Sequence, residues 1–456
     1  MKERESFGSR LGFVLVSAGC AIGIGNVWKF PYVVGQNGGG LFVLIYLFFL
    51  IIFGVPVLTM EFSLGRAAQR SPAKMYEQLE PKGTKWHIHG KLTVAGCYLL
   101  MMFYTTVAGW MLRFFVSTAS GELSGMDAAA ISDHFFNDVQ GDPVMMIIYM
   151  GIVVIIGVIV CLIGVKNGLE RVTKFMMIAL LAIMVVLAIN SFTMPGGDEG
   201  LAFYLMPDFK AVEQVGITNI LVSAMNQAFF TLSIGMGSMA IFGSYIGKER
   251  SLLGESVNVA LLDTFVAVAS GLIIFPACSA YGVDVNSGPG LIFITLPNIF
   301  NNIPLGRLWG SLFFVFMSFA ALSTVLAVFE CIVANTTDLF GWGRKKACII
   351  NGILLFVLSV PCCLGFNVLA GFQPIGSKSS ILDLEDLIVS NFILPIGALI
   401  FIMFCVTKKG WGWDNFVNEA NSGKGLKIKR FMKGYMTFVL PAMVIFVFVM
   451  GIIGLF

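Results

Sequence analysis

Long apolar stretches recur along this chain, separated by short polar segments. A run of about 18 or more apolar residues can cross the hydrocarbon core of a bilayer as a helix. By that criterion the sequence predicts eleven membrane-spanning helices, here called spans 1 to 11 in chain order. They cover approximately residues 11–35, 41–69, 90–120, 144–164, 169–192, 216–246, 255–281, 307–338, 347–365, 381–407 and 432–455. The pattern therefore predicts an all-α polytopic membrane protein with one transmembrane domain over residues 1–456.

Two of these stretches are interrupted by the same kind of motif. Span 1 contains AIGIGN at 21–26, and span 6 contains SIGMGS at 233–238. Paired glycines weaken a helix, by about 1 kcal/mol each relative to alanine, so both spans are expected to unwind in mid-membrane. Unwound backbone is tolerated there only where it lines a cavity or holds a ligand. Matched interruptions of this kind indicate the binding site of a secondary transporter; the alternative is that the glycines are helix-packing surfaces.

The spacing of the two motifs also predicts an internal repeat. Spans 1–5 and spans 6–10 form halves at about 10–195 and 215–407, and five spans is an odd number. The second half therefore starts on the opposite side of the membrane, as in transporters built from inverted repeats. The extra helix at 432–455 falls outside the repeat.

Composition narrows the class of protein further. The chain is 57% hydrophobic and only 12% charged, well below the usual quarter of charged residues in a soluble domain. A net charge of +3 gives no indication of a nucleic-acid partner. The three histidines lie in loops, where His87 and His89 favour a solvated segment over a metal site, so the sequence predicts no enzyme. The nine cysteines show no zinc or disulfide spacing, although redox activity of the adjacent Cys362 and Cys363 is an alternative.

The distribution of basic residues predicts the orientation. If the eleven spans alternate, most of the 29 lysines and arginines lie on one side, while the loop at 121–143 on the other side has none. Cytoplasmic loops carry the excess of positive charge. We therefore expect a cytoplasmic N-terminus and an extracellular C-terminus.

Several motifs resemble the neurotransmitter:sodium symporter family. They are GCAIGIGNVWKFP at 19–31, NGGG at 37–40, GVKNGLE at 164–170 and FFTLSIGMG at 229–237. The resemblance runs through all ten repeat spans and implies the LeuT fold in a multi-pass protein of a bacterial plasma membrane. It further implies sodium-coupled symport of hydrophobic L-amino acids, aliphatic and aromatic, by alternating access. A symporter of amines or other small solutes, and a channel, are the alternatives. The oligomeric state is not predicted.

The resemblance implies two sodium sites, built from the oxygen ligands that a hard cation prefers. The first site combines the substrate carboxylate with Ala21, Asn26, Thr231 and Asp263. The second site comprises Gly19, Ile22, Ala320, Ser323 and Thr324. Hydroxyls in membrane helices also commonly bond to the preceding turn, so this is the alternative role for Ser323 and Thr324.

The substrate contacts implied by the family divide into a polar and an apolar set. The carboxylate would meet the amides of Ile24 and Gly25, at the positive end of a half-helix, and Tyr104. The ammonium group would meet the carbonyls of Ala21, Phe230 and Thr231 and the Ser233 hydroxyl. The side-chain pocket would comprise Leu100, Tyr104, Phe230, Ser233, Met236, Thr324 and Val328. Met236 stands where relatives often carry phenylalanine, and simple core filling is its alternative role.

Charged residues within the spans are expensive and indicate function. Glu61 matches a family glutamate that braces the unwound backbone of spans 1 and 6. The outer gate implied by the family is Lys29 with Asp386, near Gln227, and the inner gate is Arg4 with Asp338, near Tyr245. Glu330 has no predicted role. Ile178 replaces a proline and Phe7 replaces a tryptophan of the family pattern.

Asp263 bears on ion dependence. Chloride-dependent relatives have asparagine at this position, and a fixed carboxylate supplies the negative charge instead. We therefore expect two sodium ions and no chloride. A charged carboxylate is costly in low dielectric once the site is empty, so proton antiport on the return step is a further hypothesis.

Overall fold

The computed structural model describes residues 5–282, 290–377 and 379–453. Arg4, one of the predicted inner-gate residues, lies outside these ranges. Nine helices in the described part of the chain are long and apolar enough to cross a membrane. They are Gly40–Ala68 (span 2), His87–Ser120 (span 3), Pro143–Ile163 (span 4), Val165–Phe192 (span 5), Leu252–Ala280 (span 7), Gly306–Phe340 (span 8), Arg344–Leu364 (span 9), Ile381–Val406 (span 10) and Met432–Ile453 (span 11). The predicted all-α fold class is confirmed.

Span 1 is a bent pair of helices. Ser9 begins the first half, Arg10–Ala21, by accepting a hydrogen bond from the Gly12 amide. Ile22 then adopts an extended conformation, and the second half covers Gly25–Gln36 at an angle of 57° to the first. The interruption falls at the glycine motif because glycine is the residue least able to hold a helix together.

The region of span 6 also contains two helices, Ile217–Thr231 and Ser238–Gly243. Between them Ser233, Gly235 and Gly237 all have positive φ. A Cβ atom on Gly235 would lie 2.1 Å from the Leu394 carbonyl oxygen, so only glycine fits there. Neither helix is long enough to span a membrane alone; the count of eleven spans and the repeat boundaries therefore stay predictions.

The spans differ in how much of their surface is covered by protein. Span 8 lies at the centre, with 83% of its most apolar window buried, and it packs along spans 1, 3, 4, 5 and 9. Span 11 lies at the periphery, with 28% buried. Shorter helices connect the spans. They are Pro72–Leu79, Ala128–Asp133, His134–Gln140, Asp198–Leu205, Ala211–Val215, Leu291–Thr295, Leu296–Asn301 and Trp413–Ala420.

Candidate functional site: the cavity between the broken helices

The interruptions of spans 1 and 6 meet at a small cavity in the middle of the bundle. Its volume is about 30 Å³, which is room for about two water molecules. The lining residues are Cys20, Ala21, Gly23, Gly25, Asn26, Leu100, Tyr104, Phe230, Thr231, Ser233, Met236, Thr324 and Leu394. Most of the residues predicted from the family resemblance to contact substrate are therefore together in one place.

A first cluster of oxygen-bearing side chains lies beside this cavity. The Asn26 amide nitrogen donates to Asp263 Oδ1 at 2.8 Å and to Thr231 Oγ1 at 3.1 Å. The Thr231 hydroxyl in turn donates to Asp263 Oδ2 at 2.8 Å. All three side chains are buried. The Asn26 amide oxygen accepts a hydrogen bond from the Gly23 amide at 3.3 Å, so this side chain also contacts the interruption of span 1.

A second cluster joins span 1 to span 8. The Thr324 hydroxyl lies 3.3 Å from the Gly19 carbonyl oxygen and 3.4 Å from that of Ile22. The Ser323 hydroxyl lies 3.5 Å from the Ile22 oxygen and 2.9 Å from that of Ala320. The five residues predicted for the second sodium site thus contribute five neighbouring oxygens. The Ser323 bond to Ala320 is also the local helix bond considered as the alternative.

The start of the second half of span 1 presents backbone amide groups to the cavity. The Ile24 amide donates to the Tyr104 hydroxyl at 2.9 Å, which leaves the hydroxyl proton available to another acceptor. A Cβ atom on Gly23 would lie 2.3 Å from the Tyr104 oxygen. One on Gly25 would lie 2.9 Å from the Phe230 ring. Both glycines are therefore required by the close approach of aromatic side chains.

The apolar wall of the cavity differs from the prediction at two positions. Leu100 and Met236 line it as expected, whereas Val328 is buried in span 8 outside the lining. Leu394 of span 10 lines the cavity and was not predicted. No sequence signal points to Leu394, because it reaches the site through the tight contact of its backbone with Gly235.

A larger cavity of about 280 Å³, here called the vestibule, lies next to the small one and shares Gly25, Tyr104 and Phe230 with it. The other residues lining the vestibule are Ile24, Trp28, Lys29, Tyr32, Phe103, Val107, Leu382 and Asp386. Among these residues the family resemblance implies a role only for Ile24, Lys29 and Asp386.

The predicted outer-gate residues lie in or near the vestibule but are not joined. The Lys29 ammonium group sits 4.0 Å from the centre of the Phe230 ring. Asp386 accepts a hydrogen bond from Ser390 at 2.8 Å. Within the described ranges Lys29 and Asp386 form no ion pair with each other, and the buried Gln227 side chain has no hydrogen-bond partner. The contact that the resemblance implies between Lys29 and Asp386 is therefore not made in this structure.

Glu61 contacts the interruption of span 6. Its Oε1 atom accepts a hydrogen bond from the Gly235 amide at 2.5 Å, and the side chain is fully buried. An amide left free by the broken helix is satisfied in this way. The bracing role predicted for Glu61 thus has a direct contact to span 6.

The opposite end of the bundle is closed by polar contacts. Asp338 accepts from the Ser71 amide at 2.7 Å and lies 3.5 Å from the Arg70 guanidinium. The Tyr245 hydroxyl donates to Glu330 Oε1 at 2.7 Å. Glu330 is fully buried and forms a two-pronged ion pair with Arg344, at 2.5 and 3.1 Å. Glu330, which had no role in the sequence analysis, therefore belongs to this closure.

The segment before span 1 is fastened to the same end. Glu170 accepts from the Gly8 amide at 2.6 Å and from the Ser9 hydroxyl at 2.7 Å. Phe7 packs against Phe13 and Phe242 and against Tyr245. Span 5 begins at this contact and continues as an α-helix from Arg171 to Phe192, with Ile178 exposed on its surface.

An all-helical membrane protein with two interrupted helices around oxygen clusters and a small cavity has the architecture of a secondary transporter. The sequence model of the sodium:neurotransmitter symporter family matches residues 4–140 and 138–455. The chain therefore belongs to this family, whose members are sodium-dependent transporters and not enzymes.

Individual relatives agree with the family assignment. An uncharacterized sodium-dependent transporter of Bacillus subtilis, YhdH, is 36% identical over 98% of this chain and 97% of its own length. An uncharacterized sodium-dependent transporter of Haemophilus influenzae is 30% identical over 98% of both chains. The crystal structure of MhsT in complex with L-phenylalanine matches with a TM-score of 0.87 and 37% identity, over 98% of this chain and 99% of that one. The LeuT fold expected from the resemblance is thereby confirmed.

Proposed function

We propose that this protein couples the entry of sodium to the uptake of hydrophobic L-amino acids. The observation that carries the proposal is the pair of oxygen clusters on either side of a mainly apolar cavity. The likeness to MhsT, which was crystallised with L-phenylalanine, supports an amino acid substrate. A carboxylate and an ammonium group suit the backbone amides and carbonyls at the ends of broken helices, and an apolar side chain suits the rest of the cavity.

We propose two sodium ions, one in each cluster. In the first, Asn26, Thr231 and Asp263 would be completed by the Ala21 carbonyl and the substrate carboxylate, so the ion and the substrate bind together. In the second, the carbonyls of span 1 and the hydroxyls of span 8 would share one ion. The second ion would hold the first half of span 1 against span 8.

The amino acid would bind across the two interruptions. Its carboxylate would lie at the amides of Ile24 and Gly25, where the positive end of the second half-helix favours an anion, and would accept the Tyr104 proton. Its ammonium group would lie at the span 6 carbonyls and Ser233. The cavity has room for about two water molecules, fewer than the heavy atoms of such a substrate, so Met236 and Phe230 would move as it binds. Methionine is suited to this because it is unbranched and flexible.

Asp263 supports chloride independence in this scheme. Its carboxylate is fully buried and is held by Asn26 and Thr231, with no cation nearby among the described residues. A fixed negative charge beside the first sodium ion makes an additional anion unnecessary. After sodium has left, a proton on Asp263 would neutralise its carboxylate while the empty carrier returns.

We propose that the vestibule faces outward and that the end closed by Glu330 and Glu170 faces the cytoplasm of a bacterial cell. The distribution of basic residues supports this orientation, with an extracellular C-terminus. A path open at one end and closed at the other favours alternating access over a channel, which needs both ends open at once.

The proposal is tested in proteoliposomes loaded with unlabelled L-leucine. A transporter exchanges external labelled L-leucine or L-phenylalanine for the internal pool in saturable counterflow, whereas a channel gives no such exchange. Replacement of chloride by gluconate is expected to leave sodium-driven uptake unchanged, and Asp263→Asn is expected to remove most of it in the chloride-free buffer. Exchange of amines in preference to these amino acids would overturn the substrate class, and chloride-dependent uptake would overturn the role of Asp263.

A further inference from the structure

The segment between spans 10 and 11, residues 407–433 and here called the basic linker, carries an unusual concentration of positive charge. All of its basic side chains are exposed, and none forms an ion pair with another residue in the described part of the chain. They are Lys408, Lys409, Lys424, Lys427, Lys429, Arg430 and Lys433. The linker has only two acids, the exposed Asp414 and the buried Glu419. The linker itself therefore carries far fewer acidic than basic side chains, and the exposed Glu249 of the neighbouring segment forms no ion pair with it among the described residues.

Two large apolar side chains stand among these cations. Phe431 is 79% exposed and Leu426 is 57% exposed. Phe431 immediately precedes span 11, and Lys408 follows span 10 by two residues, so the cluster lies at the level where helices leave the hydrocarbon. Exposed aromatic and aliphatic groups at that level are stable when they enter the headgroup region of a bilayer.

We propose that the basic linker binds the anionic headgroups of phospholipids in the leaflet that it borders. Four to eight basic residues directly beside a membrane-spanning helix favour anionic lipid, because each cation gains from the negative surface potential. Phe431 and Leu426 would enter the same leaflet between the headgroups. The proposed ligand is bilayer lipid and not a soluble anion, because free phosphate would make no use of the exposed apolar side chains.

The linker is held in a fixed shape, so this surface is formed before any lipid arrives. Asn421 exchanges two hydrogen bonds with the backbone of Ile428, at 3.0 and 2.7 Å. The Lys424 amide donates to the Glu249 carbonyl at 2.9 Å, and the Ser251 amide donates to the Lys424 carbonyl at 3.0 Å. The loop that carries the cations is thus fastened to the segment after span 6.

A buried ion pair strengthens this attachment. Arg66 of span 2 is fully buried and donates to Glu419 Oε1 at 2.7 Å and to the Arg250 carbonyl at 2.7 Å. Lys248 lies 3.0 Å from the other oxygen of Glu419. Lipid bound at the basic linker would therefore stabilise the end of span 6 as well as the linker. This inference does not depend on which substrate the protein carries.

The test compares purified protein with added phosphatidylcholine and with added phosphatidylcholine containing one quarter phosphatidylglycerol. We expect the anionic lipid to raise the midpoint of thermal unfolding of the unmodified chain. In the triple variant Lys427→Gln, Lys429→Gln, Arg430→Gln most of that rise is expected to disappear. The matched control is Arg171→Gln, Lys345→Gln, Lys346→Gln, which removes the same charge from exposed residues at the starts of spans 5 and 9 and should keep the rise.

Two further measurements of the unfolding midpoint distinguish binding of bilayer lipid from a general effect of anions. Inorganic phosphate at equal concentration is expected to leave the midpoint unchanged, and Phe431→Ser is expected to reduce the response to phosphatidylglycerol without a change in charge. An equal response in both triple variants would overturn the proposal, as would a rise with phosphate alone. Thermal unfolding is measured without substrate. A negative result in this lipid test therefore does not contradict the proposed transport function, and a negative transport assay does not contradict lipid binding.

Discussion

Two pairs of arginine and glutamate, at opposite ends of the molecule, have almost the same geometry and different surroundings. Arg344 contacts Glu330 through two bonds of 2.5 and 3.1 Å, and Glu330 is fully buried. Arg113 contacts Glu122 through two bonds of 2.7 and 2.8 Å, but Glu122 is 37% exposed. The first pair belongs to the closed end, whereas the second joins Arg113, a buried residue of span 3, to an exposed carboxylate in the loop that follows it.

The difference shows where the closed state is stabilised. At the closed end the acids are buried and each holds a neighbouring segment: Glu330 holds Tyr245, and Glu170 holds the backbone before span 1. At the vestibule Lys29 and Asp386 line a cavity without pairing. In the proposed alternating-access cycle, opening of the closed end would break buried polar contacts, whereas closing of the vestibule would require only that side chains approach. On this proposal the balance between the two states would be set mainly at the closed end.

The largest effect is expected from Glu330→Gln. Removing one partner of a buried pair typically costs about 3–5 kcal/mol, and we expect the lower end of that range because Arg344 keeps its contact with Glu5 at 3.2 Å. The midpoint of thermal unfolding should fall clearly. Glu122→Gln is the matched control, since the carboxylate that it removes is 37% exposed and a solvent-screened charge contributes less, about 1 kcal/mol. Equal shifts in the two variants would show that burial does not distinguish the pairs.

The second largest effect is expected where Glu170 binds the segment before span 1. Thr173 is buried and faces Gly19, so a cysteine at Thr173 reports separation of spans 1 and 5. Glu170→Gln weakens two hydrogen bonds to a charged group, and we expect labelling of Thr173→Cys in sodium-free buffer to become about tenfold faster. Ser9→Ala, which removes one of the two bonds, should give a smaller increase. Unchanged labelling rates in both variants would show that Glu170 does not stabilise the closed end.

At the vestibule the expected effect on stability is smaller. Lys29→Gln removes a contact with the Phe230 ring that is worth about 0.5–1 kcal/mol, and no ion pair is lost. The midpoint of thermal unfolding should therefore change little, while substrate uptake falls if Lys29 and Asp386 form the proposed outer gate, because the gate then lacks its positive charge. A loss of stability as large as that of Glu330→Gln would mean that Lys29 has a buried partner.

The smallest effect is the pH dependence of stability that the Arg113–Glu122 pair contributes. The hydrogen bond from Arg113 holds the pKa of Glu122 below its usual value of 4.5. Because the unfolded chain keeps the usual value, the pair adds stability above that pH and loses it as the pH falls through the lowered pKa. Thermal unfolding measured between pH 6 and pH 3 should show a slightly shallower loss of stability in Glu122→Gln. An unchanged slope would assign no stabilising role to this pair.

The sequence predicted some parts of this comparison and not others, for physical reasons. Spans such as Gly306–Phe340 follow from the length of apolar runs alone, and the interruption of span 1 follows from its glycines. Asn26, Thr231 and Asp263 were grouped only through the family resemblance, since they lie on three spans. Glu330 had no prediction because its partner Arg344 comes from the next span, and a pairing between spans leaves no periodic signal.

The central claim is that a sodium gradient drives accumulation of a hydrophobic amino acid. The most direct measurement is uptake of labelled L-phenylalanine into proteoliposomes, with sodium only outside or at equal concentration on both sides, in chloride-free buffer. We expect the inward gradient to raise internal L-phenylalanine transiently above the external concentration, and equal sodium to give only equilibration. The same final level in both conditions, reached at the same rate, would contradict it.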